Sequence, residues 1–353
     1  MRSRVRTSVV AVRTPAAPGS AVPGRRCIVC DAVVDGLPPL YERYGFTLVR
    51  CAGCRLVLQH PPPDPAVIDA AYYNDEAFAA MLMDEHRETT LERAREKVAL
   101  LEPHGLLRPG RRVLDVGASS GAWLEVAAQH GVSGIGVDVG AATAAGARAR
   151  GLDVRTGTLT EIAATLGDER FDLITFWDVL EHLSDPRTEL AVARRLLAPG
   201  GRLAVTFPNV DGLYPRLTYG LFGRTTGIWE HPELPVHLYD FSPRTAAALL
   251  AGSGFSLEAA RTFATPYDFF RATSISPEQT GFSRSRTLLR ASFDVLHRVV
   301  YPLARLTDRG NAQLLVARVA GPEPRSADPA SPTAQPAAAA AGSPRSREAT
   351  ATR

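Results

Sequence analysis

Residues 111–121 read RRVLDVGASSG. An apolar run closes on Asp115, and glycines follow at positions 117 and 121. The next segment, AWLEVAAQHG, carries its apolar residues at helical spacing. A strand that turns through glycine into a helix leaves bare backbone N–H groups facing a ligand. Working outward, the rhythm repeats. VSGIGVDV (132–139) is a second strand ending in Asp138, and GAATAAGARARG (140–151) is a helix. LDVRTGTL (152–159) and FDLITFW (171–177) supply a third and a fourth strand. PRTELAVARRLLAPGG (186–201) is a helix stopped by glycine, and GRLAVTFPN (201–209) a fifth strand. The alternation predicts a doubly wound, parallel α/β sheet whose ligands bind at the C-terminal strand ends.

The glycine loop fits the dinucleotide pattern G-x-G-x-x-G poorly, because the corresponding positions are Gly117, Ser119 and Ala122. Asp138 suits a ribose diol. Turn and acid together point to an adenosine-containing ligand, without choosing between NAD and S-adenosylmethionine. The plainer roles are a satisfied turn acid for Asp115 and a helix N-cap for Asp138.

Four cysteines, Cys27, Cys30, Cys51 and Cys54, spell C-x2-C, a twenty-residue gap, then C-x2-C. Two such knuckles present four thiolates to one ion, the structural zinc arrangement, and the metal then supplies the folding energy of a small ribbon. Two disulfides or unrelated thiols are the alternatives, and no further cysteine remains as a nucleophile. LYERYGFTLVRC between the knuckles alternates as a hairpin does.

The chain of 353 residues is 45% hydrophobic and 22% charged with a formal charge of +3, which suits a large domain plus a small module. No apolar run approaches a membrane span. The expected organisation is a basic, disordered arm (1–24), a zinc ribbon (25–60), a linker and helical cap (61–104, with a helix over 76–104), a main domain (105–320), and a disordered Pro/Ala/Ser tail (321–353). The expected location is the cytoplasm.

FWDVLEHLSDP (176–186) ends the fourth strand in Asp178, with Glu181 and His182 one helical turn on. Read as a helix start, the acids sit near its positive dipole end; read as a site, two carboxylates and an imidazole cluster. Segment 210–241 breaks the strand–helix rhythm and is expected to form a lid over the strand ends. Its Tyr214, Phe222, Trp229 and Tyr239 either surround a substrate or pack on one another. Residues 283–301 form an amphipathic helix with Leu289, Phe293, Leu296 and Val300 on one stripe, and NAQLLVARVA (311–320) is expected to close the sheet edge.

VLDVGASSGAW, GVDV, FDLITFWDVLEHLSDP and LLAPGGRLAVTFPN resemble, in order and spacing, the motifs of class I S-adenosylmethionine-dependent methyltransferases. The resemblance covers roughly residues 95–320. It extends to the N-terminal cysteine module and to HPELPVHLYDFSPRTAAALLAGSGF, which looks like a block of the ribbon-fronted bacterial subgroup. It implies a Rossmann-like, doubly wound, seven-stranded sheet, mostly parallel with the last strand antiparallel. It also implies that Asp115 helps hold the cofactor's amino group, that Gly117, Ala118, Ser119 and Gly121 line the cofactor, and that Asp138 takes the ribose. Val139, Thr158 and Leu159 then lie near the adenine, and Trp177 and Asp178 at the methionine end. Two departures are Ser119, where the family has a middle glycine, and Thr158, where many relatives have an acid. The implied reaction is methyl transfer to a small-molecule acceptor, at a hydroxyl oxygen, in secondary-metabolite, lipid or glycan biosynthesis. His182 and His237, with His231, are the candidate bases. Some relatives hold a divalent ion with a similar Asp/Glu-x-x-Glu-His pattern; Asp178, Glu181, His182 and His237 could hold Mg²⁺ here. An RNA methyltransferase using its ribbon on nucleic acid, and a cofactor-binding scaffold without catalysis, are the other readings. A dense basic and aromatic patch, which RNA binding calls for, is lacking.

Overall fold

The computed structural model describes residues 24–68, 87–224, 229, 231–265 and 284–321. One compact unit runs to Val319; of the separate unit that follows, only Ala320 and Gly321 are described. Residues 1–23 of the expected arm, most of the expected tail, and residues 76–86 of the expected cap helix lie outside the described residues.

The cysteine module opens the fold. β1 (Pro39–Arg43) and β2 (Phe46–Arg50) pair antiparallel through a two-residue turn, Tyr44-Gly45. Both turn residues have positive φ, 55° and 81°, the hairpin geometry whose twist matches the strands. β3 (Val57–Gln59) adds to β2. A helix, α1 (Arg87–Leu101), then buries Ala94, Val98 and Leu101. The main sheet follows as β4 (Arg112–Val116), α2 (Ala122–Ala128), β5 (Ser133–Asp138), α3 (Ala141–Ala149), β6 (Val154–Thr156), α4 (Leu159–Leu166), β7 (Phe171–Trp177), α5 (Pro186–Leu196) and β8 (Leu197–Pro208). The chain closes with α6 (Leu213–Thr218) and a π-helical turn to Gly223, β9 (Tyr239–Asp240), α7 (Pro243–Gly252), β10 (Phe255–Phe263), α8 (Arg284–Leu306) and β11 (Ala312–Val319).

Seven strands lie in the order β10-β11-β8-β7-β4-β5-β6. β6, β5, β4, β7 and β8 are mutually parallel, and β11 runs antiparallel between β8 and β10. The mostly parallel, Rossmann-like sheet with an antiparallel last strand is therefore present. The edge is different from expectation. NAQLLVARVA becomes β11, an interior strand buried from Ala312 to Ala317, and β10 takes the edge. The cause is visible in the sequence, since LLVA is apolar on both faces while SLEAARTF carries polar and charged residues and none of it is buried.

Period-two alternation splits the core into two layers. Val113, Leu173, Trp177, Ala204, Leu314 and Val316 face α1, α2 and α3. Leu114, Ile174, Phe176, Val205, Phe207 and Leu315 face the other way, into a core that continues through α5 and α7 into Cys27, Cys51 and Leu56 of the cysteine module. That module is tied down further, for its four-stranded sheet runs β1-β2-β3-β9 and takes the last strand from the expected lid. Among the described residues no helix is long and apolar enough to cross a membrane.

Candidate active site

The exits of β4, β5 and β7 share one end of the sheet. After β4 the chain turns through Gly117 (φ 77°), Ser119 (φ 49°) and Gly121 (φ 73°) into α2. A Cβ at Gly117 would collide with the Val179 side chain, and one at Gly121 would lie 2.6 Å from Leu152 Cδ1. Ser119, the departure from the family's middle glycine, is thus a serine in the left-handed region that favours glycine.

Asp115 is fully buried and accepts a 2.6 Å hydrogen bond from Thr175 Oγ1. Desolvation pushes its carboxyl up to about 7; the Thr175 bond and Lys97 pull the other way. Asp138 accepts from the backbone N–H of Ser119 (2.7 Å) and Gly140 (2.8 Å) and from Thr143 Oγ1 (3.3 Å). Burial raises its carboxyl from the ordinary range, and these donors oppose that. The plainer N-cap role is not what holds it, because the residue preceding α3 is Gly140 and makes no side-chain cap. Val139 is exposed and Leu159 fully buried. Thr158 caps α4, accepting from Glu161 N while Glu161 reaches back to Thr158 N.

At the β7 exit, Trp177 packs 5.7 Å from Trp123, centroid to centroid. Lys97 reaches in from α1, 5.5 Å from the Trp177 ring centroid and 4.0 Å from Asp178 Oδ2. Asp178 has φ 57° and exchanges two hydrogen bonds with Thr206, at 2.9 and 3.0 Å. Residues 178–184 are turns rather than the start of a helix, and α5 begins at Pro186 under an Asp185 cap. Asp178, Glu181 and His182 therefore do not share a helical face, for proline and its capping acid set the helix start further on.

Glu181 and His182 nevertheless meet His237, 55 residues away. Their ligand atoms lie within 4.8 Å of one another, and Asp178 is outside that group. The His182 and His237 rings are 4.6 Å apart, edge to face. His182 Nδ1 lies 3.0 Å from Val236 O, and His237 Nε2 lies 3.5 Å from Glu233 Oε2. Desolvation brings both imidazoles down to about 4, so they are neutral at pH 7. Glu181 is fully buried, and neither carboxylate oxygen has a hydrogen-bond partner among the described residues. Burial, then the neighbouring Asp178, pushes its carboxyl well above the usual range. A neutral imidazole pair beside an unpartnered buried carboxylate is a donor set for a hard or borderline divalent cation. His231 is separate from it and pairs with Asp240, 3.3 Å away.

The four cysteines form the second group able to hold a metal. Cys27–Cys54 and Cys30–Cys51 are 3.5 Å apart sulfur to sulfur, near the edge of about 3.8 Å of a tetrahedron with zinc–sulfur bonds of about 2.3 Å. The knuckles repeat one geometry. Asp31 N→Cys27 O and Arg55 N→Cys51 O are both 3.0 Å, and each donor residue has positive φ. All four thiols are free.

The aromatic residues of the expected lid pack on protein. Trp229 meets Tyr41 edge to face at 5.5 Å, and its Nε1 donates to Pro215 O. Tyr239 is buried in β9, with its hydroxyl donating to Ser184 O. Tyr214 stacks on His297 and Phe222 on Phe293, both from α8. Trp229 and Tyr239 are thus both committed to partners within the protein.

Residues 83–260 match the family described as "Methyltransferase domain". The chain belongs to that family. It is 39% identical over 101 residues to a "Ubiquinone biosynthesis O-methyltransferase" of Hahella chejuensis, covering 27% of this chain and 42% of the relative. It is 33% identical over 151 residues to a "Probable S-adenosylmethionine-dependent methyltransferase" of Mycolicibacterium smegmatis, covering 42% and 53%. The chain thus spans about half the length of these curated relatives, or less. A crystal structure of a SAM dependent methyltransferase from Archaeoglobus fulgidus is similar at TM-score 0.45 and 19% identity, over 69% of this chain and 99% of that one.

Within this methyltransferase domain, three residues at the strand exits escape a reading of the motifs alone. Lys97 lies outside every motif, Thr175 reads as a strand residue, and Thr206 lies 28 positions from the Asp178 it holds. Lys97 had one available signal, for it is the single lysine among 40 basic residues.

Proposed function

We propose that this chain transfers a methyl group from S-adenosylmethionine to a hydroxyl oxygen of a small-molecule acceptor. The observation that carries the cofactor reading is Asp138, a half-buried carboxylate at the second strand's exit, oriented by two backbone N–H groups beside a cradle that a Cβ would fill. S-adenosylmethionine supplies an electrophilic methyl carbon on a sulfonium; the chain's part is to bind, align and exclude water. Asp138 accepts from the ribose hydroxyls. Gly117 and Gly121 give the room for close backbone approach, and Ala118 and Ser119 line the same turn. Asp115 faces the methionine ammonium. Trp177, Asp178 and Lys97 border the methionine end. Val139 and Leu159 flank the adenine. Thr158, committed to its cap, serves through backbone.

On the acceptor side, imidazoles held down to about 4 are poor bases at neutral pH and good neutral ligands. Glu181, His182 and His237 would therefore hold a divalent ion, with Asp178 facing the donor side. Such an ion supplies Lewis acidity toward an acceptor oxygen. The four cysteines would hold structural zinc. The curated relative named for ubiquinone biosynthesis supports an O-methyl product on a small molecule, with the pathway, whether secondary-metabolite, lipid or glycan, as the finer part of the proposal.

Calorimetry with S-adenosylhomocysteine tests the donor side. Asp138→Ala should weaken binding about 10- to 100-fold, as expected for a lost charged hydrogen bond worth about 1.5–3 kcal/mol. An unchanged dissociation constant would sink the assignment. Tritium transfer to candidate phenols and alcohols, with EDTA and then with added Mg²⁺, tests the acceptor side. Activity indifferent to both would remove the ion and leave the cofactor reading standing.

A further inference from the structure

We infer that Gln59 is a positioning residue, through which the cysteine module sets the place of His237. This rests on the acceptor-side reading of His237. Gln59 is the last residue of β3, five positions after Cys54, and its side chain is fully buried. Both donors of its amide point into the segment that carries His237. Nε2 lies 2.7 Å from Pro235 O and 2.6 Å from His237 O. The Gln59 backbone N–H donates to Leu238 O at 3.0 Å, and Leu58 pairs with Tyr239 in the ladder. From the opposite side Glu181 O accepts from Leu238 N (2.8 Å) and Tyr239 N (3.3 Å). Residues 235–239 are therefore clamped between the strand leaving the thiolate cluster and the turn that carries Glu181 and His182.

The residue type makes the argument. Val57 and Leu58 on the same short strand are buried and apolar, whereas the side chain at 59 is buried and polar. A buried glutamine is justified by what its amide holds. Without it the carbonyl of half-buried Pro235 and the buried carbonyl of His237 itself lose these donors, at a cost localised to this segment. The backbone at 235–239 would then find another arrangement, and the approach of His237 to Glu181 and His182 would go with it. The cysteine module thus acts as a brace for the acceptor-side ligands, which explains why its sheet borrows β9.

The test uses full-length, zinc-loaded protein and two variants, Gln59→Met, which keeps volume and removes the donors, and Val57→Ala, which loosens the same strand without touching the carbonyls. The readouts are Mn²⁺ affinity by electron paramagnetic resonance, hydrogen exchange at 236–239, and S-adenosylhomocysteine affinity by calorimetry. Gln59→Met is expected to lose at least tenfold in Mn²⁺ affinity and to exchange at least tenfold faster at 236–239. Its S-adenosylhomocysteine dissociation constant should stay within twofold, and Val57→Ala should leave the first two readouts near parental. The inference is overturned if Gln59→Met matches the parent in exchange and Mn²⁺ binding, or if Val57→Ala moves both as far. If the parent itself binds no Mn²⁺, the ion reading falls, and exchange alone decides Gln59. Should Gln59→Met fail to fold, Gln59→Asn, which withdraws the amide by one methylene, takes its place under the same criteria.

Discussion

The two faces of the sheet are built by different means. The face that packs α1, α2 and α3 presents Asp115, Thr175 and Trp177, and its site residues sit at the ends of strands, most of them within short contiguous motifs. The opposite face shares its core with the cysteine module, and its ligand atoms come from a turn after β7 and a segment 55 residues later, held by a strand from the N-terminal region. The proposed donor half is local and inherits its geometry from the sheet. The proposed acceptor half is assembled from distant parts and, on the inference above, depends on a brace. Half the site should therefore survive damage that the other half does not.

The largest separation is expected from Cys51→Ser. Loss of one of four thiolates should release the proposed zinc, open residues 24–60 to protease and abolish the proposed Mn²⁺ binding at the histidines. S-adenosylhomocysteine binding should persist, because the donor half has its own core. Zinc analysis, limited proteolysis and calorimetry check this, and joint loss of both binding activities would erase the contrast between the faces.

A smaller effect concerns pH on the donor side alone. Asp115 titrates at about 7 when folded against 3.8 ordinarily, so the native state holds the extra proton between those values. The unliganded chain is then stabilised below about 4 and loses that contribution as pH rises to about 7, after which it levels. The cofactor's ammonium favours the ionised carboxylate, so S-adenosylhomocysteine affinity should rise several-fold from pH 6 to pH 8, at most about tenfold per unit. Asp115→Asn should flatten the profile; a flat profile in the parent would place the ammonium elsewhere.

The smallest effect is a gain. Ser119→Gly removes a side chain from a left-handed residue and should stabilise the chain by about 0.5–1 kcal/mol after the entropic penalty of glycine. Thermal denaturation reads it, and a fall in stability would mean the serine side chain holds something in place.

The same contrast explains what could be read from the sequence. The glycine turn, both strand-end acids and the thiolate knuckles were legible because each is a short pattern whose spacing fixes its geometry. FWDVLEHLSDP was legible as a place and misleading as a shape. Helical spacing predicted a cluster of Asp178, Glu181 and His182, whereas Pro186 and Asp185 set the helix start and Asp178 turned to Thr206 and Lys97. His237 joined Glu181 and His182 through pairing that no local period encodes. The sheet edge differs from the sequence expectation for a related reason, since strand order depends on which apolar strand wins the interior, and SLEAARTF shows this only when compared with QLLVA. Gln59 gave no signal at all, because a lone glutamine between an apolar pair and HPPP is indistinguishable from linker.

Lys97 carries one last consequence. The chain has a single ε-amine, and it lies over Trp177 beside Asp178. Amine-directed reagents therefore have one side-chain target, at the end of the sheet where the cofactor is proposed to bind. On that proposal the rate of ε-amine labelling is a mass-spectrometric gauge of cofactor occupancy, slowing as cofactor binds and needing no engineered reporter.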